Sequence, residues 1–360
     1  MSGLTLRWGG LAAALAVLVA FPLVITNALY TQFGVLTLIF VASVIAWNLF
    51  SGYSGYISLG HAVFFGTGAY AVGLLTEHWH LNGSQIFLLL PLGGVAGAAM
   101  AVPFGLIALR VRRHTFVVIT IAVFFIFQLM AYNFSFTGGN KGLSTPTFIW
   151  APATYNNPFY YAALIIAVAA GVLSWLVRGS RFGLQLLAIR DDEDRARGLG
   201  VRPMRVKLSA FMLSAAITGV VGGLWWFFIG QALPETVFNP AFDLSIALMA
   251  FLGGFGTITG PILGALILEP LQQYVSITFT NGYLGEIVLG VLFLVVILFL
   301  PRGIIPTASE RITAWRTRGG RPGHPAPAVR PADTSTLAQS PSAGTVGGTG
   351  TGTPSTGSVR

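Results

Sequence analysis

The sequence predicts an all-α, polytopic integral membrane protein of about ten passes, some of them broken or re-entrant. Three observations carry this. Hydrophobic residues make up 54% of the 360-residue chain and charged residues only 9%, with a mean hydropathy of +0.76, whereas a soluble domain carries about a quarter charged residues. Apolar windows of the roughly 20 residues needed to cross a bilayer core recur along almost the whole chain, and they are continuous rather than alternating, which favours helices over a barrel. Lys and Arg cluster in short loops, where the positive-inside rule expects them.

The spans read, in order, 9–29, 33–50, 58–76, 86–109, 115–132, 159–177 and 207–230. The first is too long for the apolar region of a signal peptide and lacks an A-x-A site, so it reads as a retained anchor. Arg7, the Arg110, Arg112, Arg113 cluster, the bases from Arg178 to Lys207, and Arg302 should all share the cytoplasmic side. Even numbers of spans separate the first three groups, as a shared side requires. Beyond Lys207 hydropathy alone offers three blocks, which would put Arg302 outside. The middle block contains GGFGTITGP (Gly253 to Pro261), whose glycines and proline interrupt a regular helix. Splitting it gives passes at 242–252, 258–278 and 284–300, restores the parity, and places both termini in the cytoplasm.

A similar interruption lies in NLFSGYSGYISLGHAVFFGTGAY (Asn48 to Tyr70). Its Asn48, Ser54, Gly55, Ser58, Gly60 and His61 suit either a tight helix–helix turn or a discontinuous helix lining a solute path, and the second reading extends to Gly253, Gly254, Gly256, Gly260 and Pro261. His61 is an intramembrane ionisable group, open to a path role or to hydrogen-bonded packing. Glu269 and Glu286 sit in or near the last two spans, each open to a pathway role or to a place near an interface. Gly93 and Gly97 read as a close-packing face, and Trp225 and Trp226 as an interfacial belt. Outside the membrane, residues 133–158 form the longest outer loop. Residues 1–307 make the transmembrane domain, and 308–360, rich in Gly, Pro, Ser and Thr, should form a disordered cytoplasmic tail.

Much chemistry is absent. No cysteine is present, which removes disulfides and thiolate metal sites. There is no H-E-x-x-H, no G-x-S-x-G and no phosphate-binding loop, so neither catalytic residues nor a metal set is expected and ATP is not bound here in the usual way. The +9 net charge lies in membrane-flanking loops and the tail, which argues against nucleic acid and for contact with lipid. Solute passage, assembly and scaffolding remain. The charged segment AIRDDEDRARGLGV (Ala188 to Val201) then becomes a candidate docking helix for a partner that supplies force. Its acids, Asp191 to Asp194, lie ahead of Arg195 and Arg197, Asp191 with Arg195 and Glu193 with Arg197 make i,i+4 pairs, and Gly198 or Gly200 can end it.

These residues resemble a family. Ala188 to Trp225 is similar to the coupling loop and following span of the permeases of branched-chain amino acid ABC transporters, on the LivM-like side, while Asn48 to Tyr70 and Gly253 to Ala265 resemble that family's Ser-Gly and late glycine-rich segments. The resemblance implies a permease domain over 1–307, with the coupling loop at about 178–207, in a bacterial inner membrane. It implies import of leucine, isoleucine or valine, with urea, short amides or other amino acids as alternatives. The partners implied are a second homologous permease, two ATPase subunits carrying ATP and Mg, and a periplasmic or lipid-anchored binding protein; this chain itself holds no cofactor. Arg190, Asp191, Asp192 and Glu193 stand at the charged start of the coupling loop, and Ala196, Leu199 and Gly200 at its A-x-x-L-G core. Arg195 and Arg197 depart from the family pattern. From another class, an ion-coupled carrier acting alone is the competing reading.

Overall fold

The computed structural model describes residues 2–25, 27–134, 137–145 and 155–278, with 287, 290, 291 and 294 in addition. The chain divides into two compact units, Met1–Thr313 and Ala314–Arg360. Expectations for Glu286, Arg302, most of 284–300, the tail from 308, and residues 135, 136 and 146–154 of the outer loop lie outside the described residues.

Within the first unit the helices are α1 (Ser2–Val24), α2 (Ala28–Trp47), α3 (His61–His78), α4 (Leu90–Ala108), α5 (Arg113–Asn133), α6 (Asn156–Gly179), α7 (Arg181–Asp191), α8 (Glu193–Gly198), α9 (Pro203–Ile229), α10 (Pro234–Val237), α11 (Pro240–Gly253) and α12 (Thr259–Thr278). Their ends follow local chemistry. The Asn27 side chain accepts from the Leu29 amide to start α2, and Asn239 accepts from Ala241 to start α11, each satisfying a donor that the helix cannot. Pro lies in the first turn of α4, α9 and α11, where its missing N–H costs nothing.

Six described stretches are long and apolar enough to cross a bilayer: 28–52, 83–108, 113–133, 156–179, 203–229 and 234–253. Helix α9 is the hub and packs against α4, α3, α2 and α6. That packing is backbone on backbone. A methyl group added to Gly68 would strike the Gly219 carbonyl, and one on Gly97 would meet Ala215 and Gly219, so the small residues let α3 and α4 lie directly on α9. Conversely Val118, Phe125, Ile126 and Leu129 of α5 and Ile165, Val172, Trp175 and Leu176 of α6 are exposed. Asn48, Ser54, Ser58, His61, Ser214 and Asp243 are buried. Polar groups inside and large apolar side chains outside are what a hydrocarbon solvent selects.

Two expectations are corrected at this level. Trp226 is not part of an interfacial belt: it is 1% exposed, and its indole N–H donates to the Leu143 carbonyl at 3.1 Å. Leu143–Ser144 (β1) in turn pairs antiparallel with Gln231–Ala232 (β2), so this tryptophan fastens the loop before α6 to the end of α9. The charged segment is not one helix either. Asp192 is extended (φ −155°, ψ 112°) and separates α7 from α8.

Candidate functional site

The site is built from two helix interruptions and the charged segment, which meet at the end of the bundle that gathers the bases. There Arg110, Arg112 and Arg113, Asp191 to Asp194, Arg197 and Lys207 line a cleft of about 620 Å³.

The first interruption begins where α2 widens into a π-helix, Asn48–Gly52. Gly55 adopts φ +74°, a left-handed value that favours glycine, and regular helix resumes at His61. The freed backbone donors are met by side chains. Ser54 Oγ accepts from the Tyr56 amide at 3.2 Å, Ser51 Oγ from Ser58 at 3.3 Å, and Thr120 Oγ1 from Leu59 at 3.2 Å. The Trp47 indole N–H donates to the Ser58 carbonyl at 2.8 Å. Gly60 has no room for a side chain between Thr120 and Phe104. His61 is fully buried, its two ring nitrogens 3.1 Å from Ser58 Oγ and 2.8 Å from Ser214 Oγ.

The second interruption separates α11 from α12. Gly254 and Gly256 take φ +132° and +76°. Thr257 Oγ1 donates to the Gly254 carbonyl at 2.7 Å and accepts from the Gly260 amide at 3.0 Å. Gly253 presses on the Gly260 carbonyl, leaving no space for a Cβ. Pro261 is buried in the first turn of α12.

The two interruptions form one unit. Asn48 Nδ2 donates to the Thr257 carbonyl at 2.8 Å, while its Oδ1 accepts from the Gly256 amide at 2.9 Å. One carboxamide thereby satisfies a donor and an acceptor that no helix supplies.

The charged segment is anchored onto that unit. Arg190 does not face outward with Asp191: it donates to the Gly52 carbonyl at 2.9 Å and lies over the Phe255 ring at 5.1 Å. Arg178, at the end of α6, donates to the Gly256 carbonyl at 2.6 Å and lies over Tyr53 at 5.3 Å, whose hydroxyl is 2.8 Å from Ser174 Oγ. Arg113 holds the end of α7 through the carbonyls of Ile189 and Arg190, at 2.7 and 2.5 Å. A cation beside carbonyls at a helix C-terminus is stabilised by the dipole as well as by the hydrogen bond.

Past the break, the Asp192 carboxylate accepts from the amides of Asp194 and Arg195, both at 3.0 Å, and caps α8. The Arg195 amide bond, the largest influence, holds the Asp192 carboxyl below its ordinary pKa. Glu193 turns inward, accepting from the Tyr56 hydroxyl and pairing with Lys207 Nζ at 2.9 Å. Burial pushes the Glu193 pKa up, but the bonds from Tyr56 and Lys207 and the charges of Lys207 and Arg197 outweigh it and leave the carboxyl below its usual range. Of the anticipated i,i+4 pairs, Glu193 with Arg197 is present at 3.7 Å, whereas Arg195 turns instead to Asp192 at 3.1 Å. Ala196 is 2% exposed and faces the bundle, while Leu199 is 85% exposed at the tip, beside Gly200 at φ +88° with open space around it.

Sequence reasoning misses Arg178, Arg113 and Lys207, whose charges the orientation rule already explains, and Tyr53 and Tyr56, which read as ordinary apolar aromatics. The signal available was the aromatic repeat GYSGY (Gly52 to Tyr56) beside an otherwise small-residue stretch. It also missed Asp243. This acid is 2% exposed, and its Oδ1 accepts from the Ala62 amide at 3.1 Å, capping α3 from the first turn of α11. Its Oδ2, Glu269 Oε2 and Gln272 Oε1 have no hydrogen-bond partner among the described residues.

Comparison with known proteins bears on the same residues. The chain is 30% identical over 334 residues to the high-affinity branched-chain amino acid transport system permease proteins LivM of Salmonella typhimurium and Escherichia coli, covering 84% of this chain and 76% of each relative. It is 25% identical over 281 residues to the corresponding permease protein LivH of Escherichia coli, covering 72% of this chain and 89% of that one. No solved structure matches it. The family described as branched-chain amino acid transport system, permease component, matches residues 28–297. Because that match spans both interruptions and the charged segment between them, the chain belongs to this family, as a LivM-like, multi-pass membrane permease.

Proposed function

We propose that this chain is one permease subunit of an ATP-driven importer that carries leucine, isoleucine or valine across a bacterial inner membrane. A second, homologous permease completes the pathway, two ATPase subunits bind ATP and Mg, and a periplasmic or lipid-anchored protein delivers the solute. The chain makes about ten passes with both termini in the cytoplasm, α1, α3, α12 and the stretch from 284 supplementing the six spans given above. The segment from Arg178 to Lys207 is the coupling loop, with Leu199 and Gly200 seated on the ATPase. Asn48, Ser54 to His61 and Gly253 to Pro261 line or gate the path. Kinship to proteins named LivM and LivH supports the amino acid assignment.

One observation carries the reading: the loop has an exposed apolar tip at Leu199, and its base is bonded to both helix interruptions through Arg178 and Arg190. A segment that faces a partner at one end and two deformable breaks at the other can convert docking motion into a change of path. The test is reconstitution of the complete complex in liposomes, with radiolabelled leucine uptake expected only with ATP and the binding protein. ATP-dependent uptake of urea in place of leucine would reassign the solute. The unpartnered oxygens of Asp243 and Glu269 favour the second reading, an ion-coupled carrier; uptake by the purified chain alone, driven by an ion gradient, would establish it and remove the importer.

A further inference from the structure

We propose that Arg178 and Arg190 form a crossed clamp that delivers movement of the loop to both helix interruptions together. The inference rests on the coupling role proposed above and names the atoms that carry it. Each guanidinium touches both interruptions. Arg178 donates to Gly256 of the second and lies over Tyr53 of the first. Arg190 donates to Gly52 of the first and lies over Phe255 of the second. The arrangement is crossed because the two arginines leave the chain at opposite ends of α7, one at the last turn of α6 and one at the last turn of α7.

Among the described residues neither arginine pairs with a carboxylate, although Asp191, Asp192 and Asp194 lie close by in the chain. Both cations are therefore committed to carbonyl oxygens and aromatic faces. A planar guanidinium serves both at once, stacking on a ring while its in-plane donors reach a carbonyl, whereas an ammonium offers a compact point charge without that fixed fork. The clamp is closed around glycines with no slack, because a methyl group on Gly256 would meet both the Arg190 guanidinium and the Gly52 carbonyl. Asn48 ties the same two interruptions from the membrane side, so rotation of α7 cannot move one without the other.

The experiment uses the reconstituted complex, reading solute taken up per ATP hydrolysed, together with maleimide labelling of a cysteine introduced as Ile258→Cys into this cysteine-free chain. In Arg178→Gln and Arg190→Gln the ratio should fall about tenfold, the order expected for one charge-assisted hydrogen bond, and the ATP-dependent change in labelling should disappear. Arg178→Lys and Arg190→Lys should behave like the glutamines, because charge alone does not make the clamp. Recovery of the ratio by lysine would overturn the proposal in favour of a purely topological role for the charge. Phe255→Leu removes the ring under Arg190 together with that ring's contacts to Trp47 and Phe251, leaves both arginine hydrogen bonds in place and should lower the ratio less; if the glutamine variants do not assemble, a normal ratio and labelling response in Phe255→Leu overturns the clamp. If the unaltered complex takes up no solute with ATP, the importer reading itself fails, an outcome distinct from normal coupling in clamp variants.

Discussion

At the scale of single residues, the Tyr56–Glu193–Lys207 cluster shows how a charged loop is held to an apolar bundle. The Lys207 side chain is 3% exposed and that of Glu193 22%, so losing the acid strands a buried ammonium. Glu193→Gln should lower the stability of the purified chain by about 1–3 kcal/mol, less than the roughly 3–5 kcal/mol for breaking a fully buried pair because Glu193 is partly solvated. The pH dependence follows in sign. The folded pKa of Glu193 lies below its ordinary value, so its contribution is complete above the ordinary carboxylate range and is lost as pH falls through the folded value. Thermal unfolding in detergent should reveal this acid-side loss in the parent chain and a flatter profile in Glu193→Gln. A glutamate inside a run of four acids carries no mark in the sequence that it, rather than Asp191, turns inward; that choice depends on Lys207 and Tyr56, which arrive from different helices.

At the scale of elements, helix positions were legible because hydrocarbon solvent imposes length and composition, and both interruptions were legible because glycine, serine and proline cannot hide within an apolar run. What joins them was not. Asn48 reads as one polar residue at the end of a span, and its partners lie 208 and 209 residues away. Asn48→Ala should cost about 1–3 kcal/mol by leaving the Gly256 amide and Thr257 carbonyl unpaired, seen as a lower midpoint of thermal unfolding, whereas Asn48→Asp, which keeps the acceptor but not the donor, should recover only part of it. The division between α7 and α8 was illegible for a different reason. Every residue from Leu184 to Leu199 tolerates a helix, and the break exists because the Asp192 side chain competes for the amides of the next turn. Asp192→Ala should remove that cap and lower the midpoint of thermal unfolding.

At the scale of the whole molecule, the family relation and the buried polar interior describe the same object, a bundle whose outside is apolar and whose inside is wired by serines, asparagine, arginines and acids. Leu199 stands apart as an exposed leucine on the charged segment. Leu199→Ser should leave thermal stability within about 0.5 kcal/mol, as for surface positions generally, yet weaken retention of the ATPase subunits when the complex is purified. Equal retention would show that the tip is not a docking point.

The bond from Asn48 to Gly256 also sets a schedule for biogenesis. Chains emerge from the ribosome at about 5–20 residues per second, so the 208 residues between these two positions correspond to roughly 10–40 s of synthesis. Throughout that interval the early part of the chain already resides in lipid with the Asn48 carboxamide deprived of its final partners. A nascent chain halted before residue 253 would keep that carboxamide unpaired, and would be the form most readily removed by membrane quality control.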